Sequence, residues 1–223
     1  MTLARTIVAI AAFTTFSAAQ QAVTFPTSDG GLIHADLYGK GDRAVVLAHG
    51  GRFDRTSWAK QAQILTGAGF RVLSIDFRGE GQSHGGASAR QPDEGRHLDV
   101  LGAIHYLRNS GAKSVSVVGA SMGGDYAAEA AEAEPAAIDR LVLLASGAYT
   151  TLTRMKGRKL FILARDDANS EGPRLPKIRA RYDQAPEPKE WIPLEGSAHA
   201  QFLFPTDQGE RLMHEILRFL SAP

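Results

Sequence analysis

Short apolar runs alternate with longer stretches of helical periodicity from residue 43 to the C-terminus. Continuous apolar runs at 43–48, 70–76, 114–118, 140–145 and 159–164 have the length and β-branched content of strands covered on both faces. Residues 190–194 supply a shorter run of the same kind. Between the runs, apolar positions recur at helical spacing over 57–68, from about 93 to 109, over 122–134, 173–182 and 207–220. Before them, 22–25 and 32–38 alternate in polarity around Ser28-Asp29-Gly30-Gly31, the pattern of a hairpin. Strands alternating with helices predict a mostly parallel sheet with helices on both faces: an α/β fold, in one domain, because neither a linker nor a repeat divides the chain.

Composition changes this picture little. A hydrophobic content of 43% and a charged content of 22% over 223 residues fit one soluble domain. The net charge of +1 gives no electrostatic reason to expect nucleic acid as a partner. With no cysteine, disulfides, thiolate metal sites and a thiol nucleophile are excluded. Residues 1–19 stand apart. Arg5 precedes an apolar stretch, and Ser17-Ala18-Ala19 offers the small residues that a signal peptidase reads. The expectation is a secretory signal cleaved before Gln20, a mature domain over 20–223, and a secreted or periplasmic location. The apolar stretch is too short to span a bilayer, so no stable membrane insertion is expected after its removal.

The candidate chemistry centres on Gly119-Ala120-Ser121-Met122-Gly123, which closes one buried run and opens a helix. That spacing sets Ser121 on a tight strand–helix turn, with its hydroxyl raised above the sheet and the first helical amides beside it. A serine hydroxyl needs a base to take its proton, and the base needs an orienting acid. His34, His97, His105 and His214 fall in the hairpin or on helices and read as structural. His199 instead follows the 190–194 strand, at the carboxyl edge of the sheet where such folds place their ligands. The acid is expected after the 159–164 strand, where Asp166 and Asp167 stand side by side; Asp167 is preferred and Asp166 remains the alternative. No spacing of metal ligands is present, so no metal and no cofactor are expected.

Four segments in order make the chain resemble the α/β-hydrolase family over about 22–221. They are Leu47-Ala48-His49-Gly50-Gly51, then Asp76-Phe77-Arg78-Gly79-Glu80-Gly81-Gln82-Ser83, then the Gly119–Gly123 elbow, and last the Asp167/His199 pair. The resemblance implies a serine hydrolase in which Ser121 attacks an acyl carbonyl, His199 moves the proton and Asp167 holds the imidazole. It also implies an oxyanion hole made by the backbone amides of Met122 and Gly51, with Arg52 the alternative to Gly51. The family's spacing of its acid from a small strand-closing residue, here Ala164, supports Asp167. Serine at the elbow argues against the epoxide hydrolases and haloalkane dehalogenases of this fold, which use aspartate. Many members insert a helical cap between the strands matching 140–145 and 159–164. Only about a dozen residues lie between them here, so no cap domain is expected. His49, Arg52, Phe53 and Trp58 are expected near the mouth of the site.

The leading expectation is a carboxylic ester hydrolase acting on a small-molecule ester with a short acyl chain or an exposed ester bond. The alternatives are another acyl transfer on the same residues (thioesterase, perhydrolase or dienelactone-hydrolase-like), or a non-catalytic binding module of this fold. The oligomeric state is left open.

Overall fold

A computed structural model describes residues 20–86, 94–147 and 152–222. The expected signal segment, 1–19, lies outside the described residues.

The chain begins with a hairpin, β1 (Gln21–Pro26) and β2 (Gly31–Tyr38), paired antiparallel. The turn is closed by Thr27, whose Oγ1 accepts from the Gly31 amide at 2.7 Å. The predicted alternation then unfolds in sequence: β3 (Arg43–Ala48), α1 (Ala59–Gly67), β4 (Arg71–Ile75), a short β5 (His84–Gly85), α2 (Arg96–Asn109), β6 (Ser114–Ala120), α3 (Met122–Ala133), β7 (Arg140–Leu144) and β8 (Arg158–Ala164). A small hairpin, β9 (Ala168–Asn169) and β10 (Gly172–Pro173), precedes α4 (Leu175–Gln184), β11 (Lys189–Leu194) and α5 (Gly209–Ser221).

The sheet order is β1-β2-β4-β3-β6-β7-β8-β11. From β4 to β11 every neighbouring pair is parallel, and β2 joins β4 antiparallel. Every residue of β3, β6, β7 and β8 after the first is buried, as the continuous apolar runs require of strands covered on both faces. Val46, Val117, Leu143 and Phe161 lie at the centre of that core and are inaccessible to solvent. Edge strand β1 is largely exposed.

The helix expected over 173–182 begins at Leu175, because Gly172 and Pro173 pair with Asn169 and Ala168 in the β9–β10 hairpin. Asn169 Oδ1 accepts from the Glu171 amide at 3.0 Å and closes that turn, a local bond with no hydrophobic signature. The β7–β8 connection, between Leu144 and Arg158, is 13 residues long, too short to hold a cap domain. The excursion between β8 and β11 takes over part of that role: the β9–β10 hairpin and the first turn of α4 wall one side of the site.

Candidate active site

Ser121 sits at the carboxyl end of β6 with φ 48° and ψ −119°, in the left-handed half of backbone space that costs a non-glycine residue about 1–2 kcal/mol. The surroundings hold it there. Its amide donates to Leu144 O at 2.9 Å, and its carbonyl accepts from the amides of Gly124 (2.9 Å) and Asp125 (3.1 Å). The glycines on either side are required by proximity. A Cβ on Gly119 would lie 2.5 Å from Gly124 Cα, and one on Gly123 would lie 2.4 Å from Ala48 O. Strand β6 and the neighbouring β3 can approach α3 this closely only without those side chains.

The loop after β11 brings His199 to the serine. Ser121 Oγ and His199 Nε2 are 2.8 Å apart. On the other side of the ring, Nδ1 is 2.7 Å from Asp167 Oδ2. A carboxylate only accepts, so Nδ1 carries the proton and donates to Asp167, leaving the Nε2 lone pair free to accept from Ser121 Oγ–H. Asp167 is fully buried after β8, whereas Asp166 is exposed and turns its amide to Gly196 O at 3.0 Å. Of the two adjacent carboxylates, Asp167 alone meets His199.

The turn after β3 lies over the serine: a Cβ on Gly50 would be 3.6 Å from Ser121 Cβ. The Gly50 amide is already committed to Gln201 Oε1 at 2.7 Å. The amides of Gly51 and Met122 have no acceptor among the described residues. The Arg52 amide, the alternative to Gly51, is equally without an acceptor, so the geometry leaves both open, beside Met122, as donors to an oxygen developing negative charge at a carbonyl attacked by Ser121. Met122 is itself steadied by Arg96, whose Nη1 lies 2.9 Å from the thioether sulfur.

Two clefts flank Ser121 and Met122. One, of about 390 Å3, is lined by Arg52, Phe53, Arg174, His199 and Phe202. The other, of about 420 Å3, runs along Asp125, Tyr126 and Glu129 to the β9–β10 hairpin and α4. Arg52 and Phe53 both line the first of these clefts, with Phe53 packed on Phe202 at a centroid distance of 4.8 Å.

Two expected lining residues do not face the site. His49 is inaccessible: its Nδ1–H donates to Gly50 O at 2.9 Å and its ring meets Phe77 edge-on. Burial also holds its pKa below the ordinary value of 6.5. Trp58 is 1% exposed and packs edge-to-face on Phe204 at 5.7 Å. Both were placed by their closeness in sequence to the turn. His49 turns its ring onto Phe77, and Trp58 closes a short 3-10 turn (Arg55–Trp58) and packs on Phe204.

Three residues were not singled out from the sequence. Gln201, 5% exposed, ties the β3 turn to the His199 loop: Oε1 accepts from Gly50, and Nε2 donates to Ser57 Oγ at 2.8 Å. Arg174 precedes α4, lines both clefts, and holds Nε 3.4 Å from Asp167 Oδ1. Phe202 is 43% exposed beside His199. The only hint of Gln201 in the sequence is its position two residues after the candidate base. The segment Asp76–Ser83 is structural in its charged members: Arg78 is clamped by Asp99 at 2.7 Å and Asp29 at 2.7 Å, and Asp76 is paired with Arg55. Among the described residues no three potential metal ligands cluster, and no helix is long and apolar enough to cross a membrane.

The strand order, the strand–helix turn at Ser121 and the position of the site at the carboxyl edge are those of an α/β-hydrolase. The sequence profile of the serine aminopeptidase S33 family matches residues 39–175, and the chain belongs to that family. It is 36% identical over 121 residues to a 2-hydroxy-6-oxononadienedioate/2-hydroxy-6-oxononatrienedioate hydrolase of Cupriavidus pinatubonensis, covering 52% of this chain and 40% of that one. It is 29% identical over 132 residues to a non-heme chloroperoxidase of Streptomyces lividans, covering 55% of this chain and 44% of that one. The chain thus matches less than half the length of these curated relatives. Among solved structures, an esterase of Pyrococcus furiosus superposes with a TM-score of 0.73 at 19% identity, covering 96% of this chain and 98% of its own. An esterase of Exiguobacterium antarcticum superposes with a TM-score of 0.71 at 15% identity, covering 91% of this chain and all of its own. At these identities the superpositions show the shared fold alone.

Proposed function

We propose that this hydrolase is a serine carboxylesterase working through an acyl-enzyme. The observation that carries the reading is the unbroken hydrogen-bond chain from Ser121 Oγ through the His199 ring to the buried Asp167, with the unengaged Gly51 and Met122 amides beside it. Ser121 Oγ attacks the ester carbonyl while its proton passes to His199 Nε2. The carbonyl electron pair moves to the oxygen, which the Gly51 and Met122 amides receive. Collapse expels the alkoxide, which takes the proton from His199, and leaves Ser121 acylated. A water activated by the same imidazole then releases the acid and restores the serine. Asp167 fixes the Nδ1–H tautomer and balances the imidazolium charge.

The small hydrolytic site with no cap domain over it fits short acyl chains or exposed esters. Transfer of the same acyl group to a different acceptor, as in a perhydrolase, or from a thioester or dienelactone, is the second reading; the chloroperoxidases among the relatives favour keeping it. The test is hydrolysis of p-nitrophenyl acetate and butyrate together with labelling by a fluorophosphonate. Both are expected in the wild type and absent in Ser121→Ala. A folded wild type that shows neither sinks the proposal.

We also propose export, with residues 1–19 removed. Cleavage before Gln20 would leave β1 intact from its first residue. Mass spectrometry of protein recovered outside the cytoplasm should find Gln20 at the N-terminus; an intact Met1 refutes it.

A further inference from the structure

The two clefts beside Ser121 differ in charge. The cleft along α3 and α4 is rich in carboxylates, with Asp125, Glu129 and Glu171 facing Arg174 and Lys177. The cleft shared with His199 holds Arg52 and Arg174 and, among the described residues, no carboxylate. Arg174 lies 3.4 Å from Asp167 Oδ1 at Nε, without a hydrogen bond, and its side chain lines the cleft beside His199. Arg52 has no ion-pair partner among the described residues, and it is exposed. It also borders a shallow hollow with Asp54, Asp76 and Glu80, of which Asp76 and Glu80 have cations of their own. Asp54 accepts from Thr56, Asp76 pairs with Arg55, and Glu80 lies 3.6 Å from Arg96. Among the described residues the lining of this cleft thus carries two guanidinium groups and no carboxylate beside the reacting atoms, with Asp167 behind one of them. Phe53 and Phe202, packed on one another, give it an apolar wall.

We propose that this cleft binds a carboxylate carried by the substrate, so that the preferred ester is anionic: a free acid group on a short apolar stem, the stem against Phe53 and Phe202 and the acid at Arg52 and Arg174. Planar guanidinium forks suit a carboxylate, and two of them in one cleft set the position of the ester as well as its charge. The proposal rests on the esterase reading and narrows its substrate class.

Two matched pairs test it, one for each side of the ester bond: 4-acetoxybenzoate against 4-acetoxybenzamide, and 4-nitrophenyl hydrogen adipate against 4-nitrophenyl adipamate. Each kcat/KM is divided by the rate of hydroxide-catalysed hydrolysis of the same ester. In one pair the wild type should favour the carboxylate by about tenfold or more, chiefly through KM, as expected of a charged binding contact. Arg52→Gln should bring that ratio towards one, and Arg52→Lys should keep part of it. Ratios within twofold in both pairs, or a preference that Arg52→Gln leaves in place, overturn the proposal. If no ester is hydrolysed, the esterase reading fails by itself and the cleft is judged by calorimetry. Adipate binding that adipamide lacks and Arg52→Gln loses upholds the anion site; failure of adipate to bind the wild type overturns it.

Discussion

Replacing Gln201 by Leu would test whether the two catalytic loops are mechanically joined. The side chain is 5% exposed and spans from the Gly50 amide, 2.7 Å from Oε1, to Ser57 Oγ, 2.8 Å from Nε2. Leucine has nearly the same volume and makes neither bond. The Gly50 N–H would be left buried without an acceptor, at about 1–3 kcal/mol, while Ser57 Oγ keeps its bond to Asp54 O. At about 2–4 °C per kcal/mol for a domain of this size, the melting temperature should fall by roughly 5 °C. Loss of an oxyanion donor costs about 100- to 1000-fold in kcat. Here the Gly50–Gly51 peptide is released and not deleted, so kcat for p-nitrophenyl butyrate should fall by about 10- to 100-fold. KM should barely move, because the amide of Gly51 is used only as charge develops on the oxygen. Gln201→Glu keeps an acceptor for Gly50 and should lie between Leu and wild type in both measures. Steady-state kinetics and thermal melts on the same preparations decide the matter. A melting temperature that falls while kcat stays within twofold of wild type would show Gln201 to be structural only and would refute the coupling.

Other outcomes follow from the same geometry. Asp167→Asn should lower ester turnover by about 1000- to 10,000-fold through the wrong imidazole tautomer, whereas Asp166→Asn, exposed and away from the ring, should change it less than twofold; steady-state kinetics giving the reverse would move the acid by one residue. Gly119→Ala drives a methyl group to 2.5 Å from Gly124 Cα, a backbone atom that cannot step aside, and should cost about 3 kcal/mol or more in denaturant melts; a stable, active variant would refute the close approach. Burial lowers the pKa of His49, so below its ordinary 6.5 the unfolded chain binds a proton that the folded one resists. Its contribution to stability is therefore full at neutral pH and is lost as pH falls through and below 6.5, with a slope of at most about 1.4 kcal/mol per pH unit. Urea midpoints at pH 7.5 and 5.5 should diverge more in wild type than in His49→Gln, and equal divergence would refute the assignment.

The parts of this protein that were legible in the sequence are those encoded by consecutive residues. Buried strands announce themselves because both faces must be apolar, and the Ser121 elbow does so because its glycines are needed within four residues of one another. His199 and Asp167 could be placed once the strand order was in hand, since each directly follows a strand whose carboxyl end must lie at the site. What failed was inference by nearness along the chain. His49 and Trp58 flank the turn that covers Ser121, yet both are buried, one against Phe77 and the other against Phe204. A turn reverses the chain within a few residues, so side chains on its two flanks face different surroundings.

What went unseen was assembled from distant segments. Gln201 reaches Gly50 across 151 residues, and Arg174 reaches Asp167 from beyond a hairpin held by one asparagine turn. Neither contact leaves a local periodicity. Both act on the parts the sequence did reveal: Gln201 removes the Gly50 amide from contention and leaves those of Gly51 and Arg52, and Arg174 places positive charge behind Asp167 and beside the open cleft. The elbow thus presents a serine above the sheet, but the charge and precision of the site around it come from residues that only the folded sheet brings together.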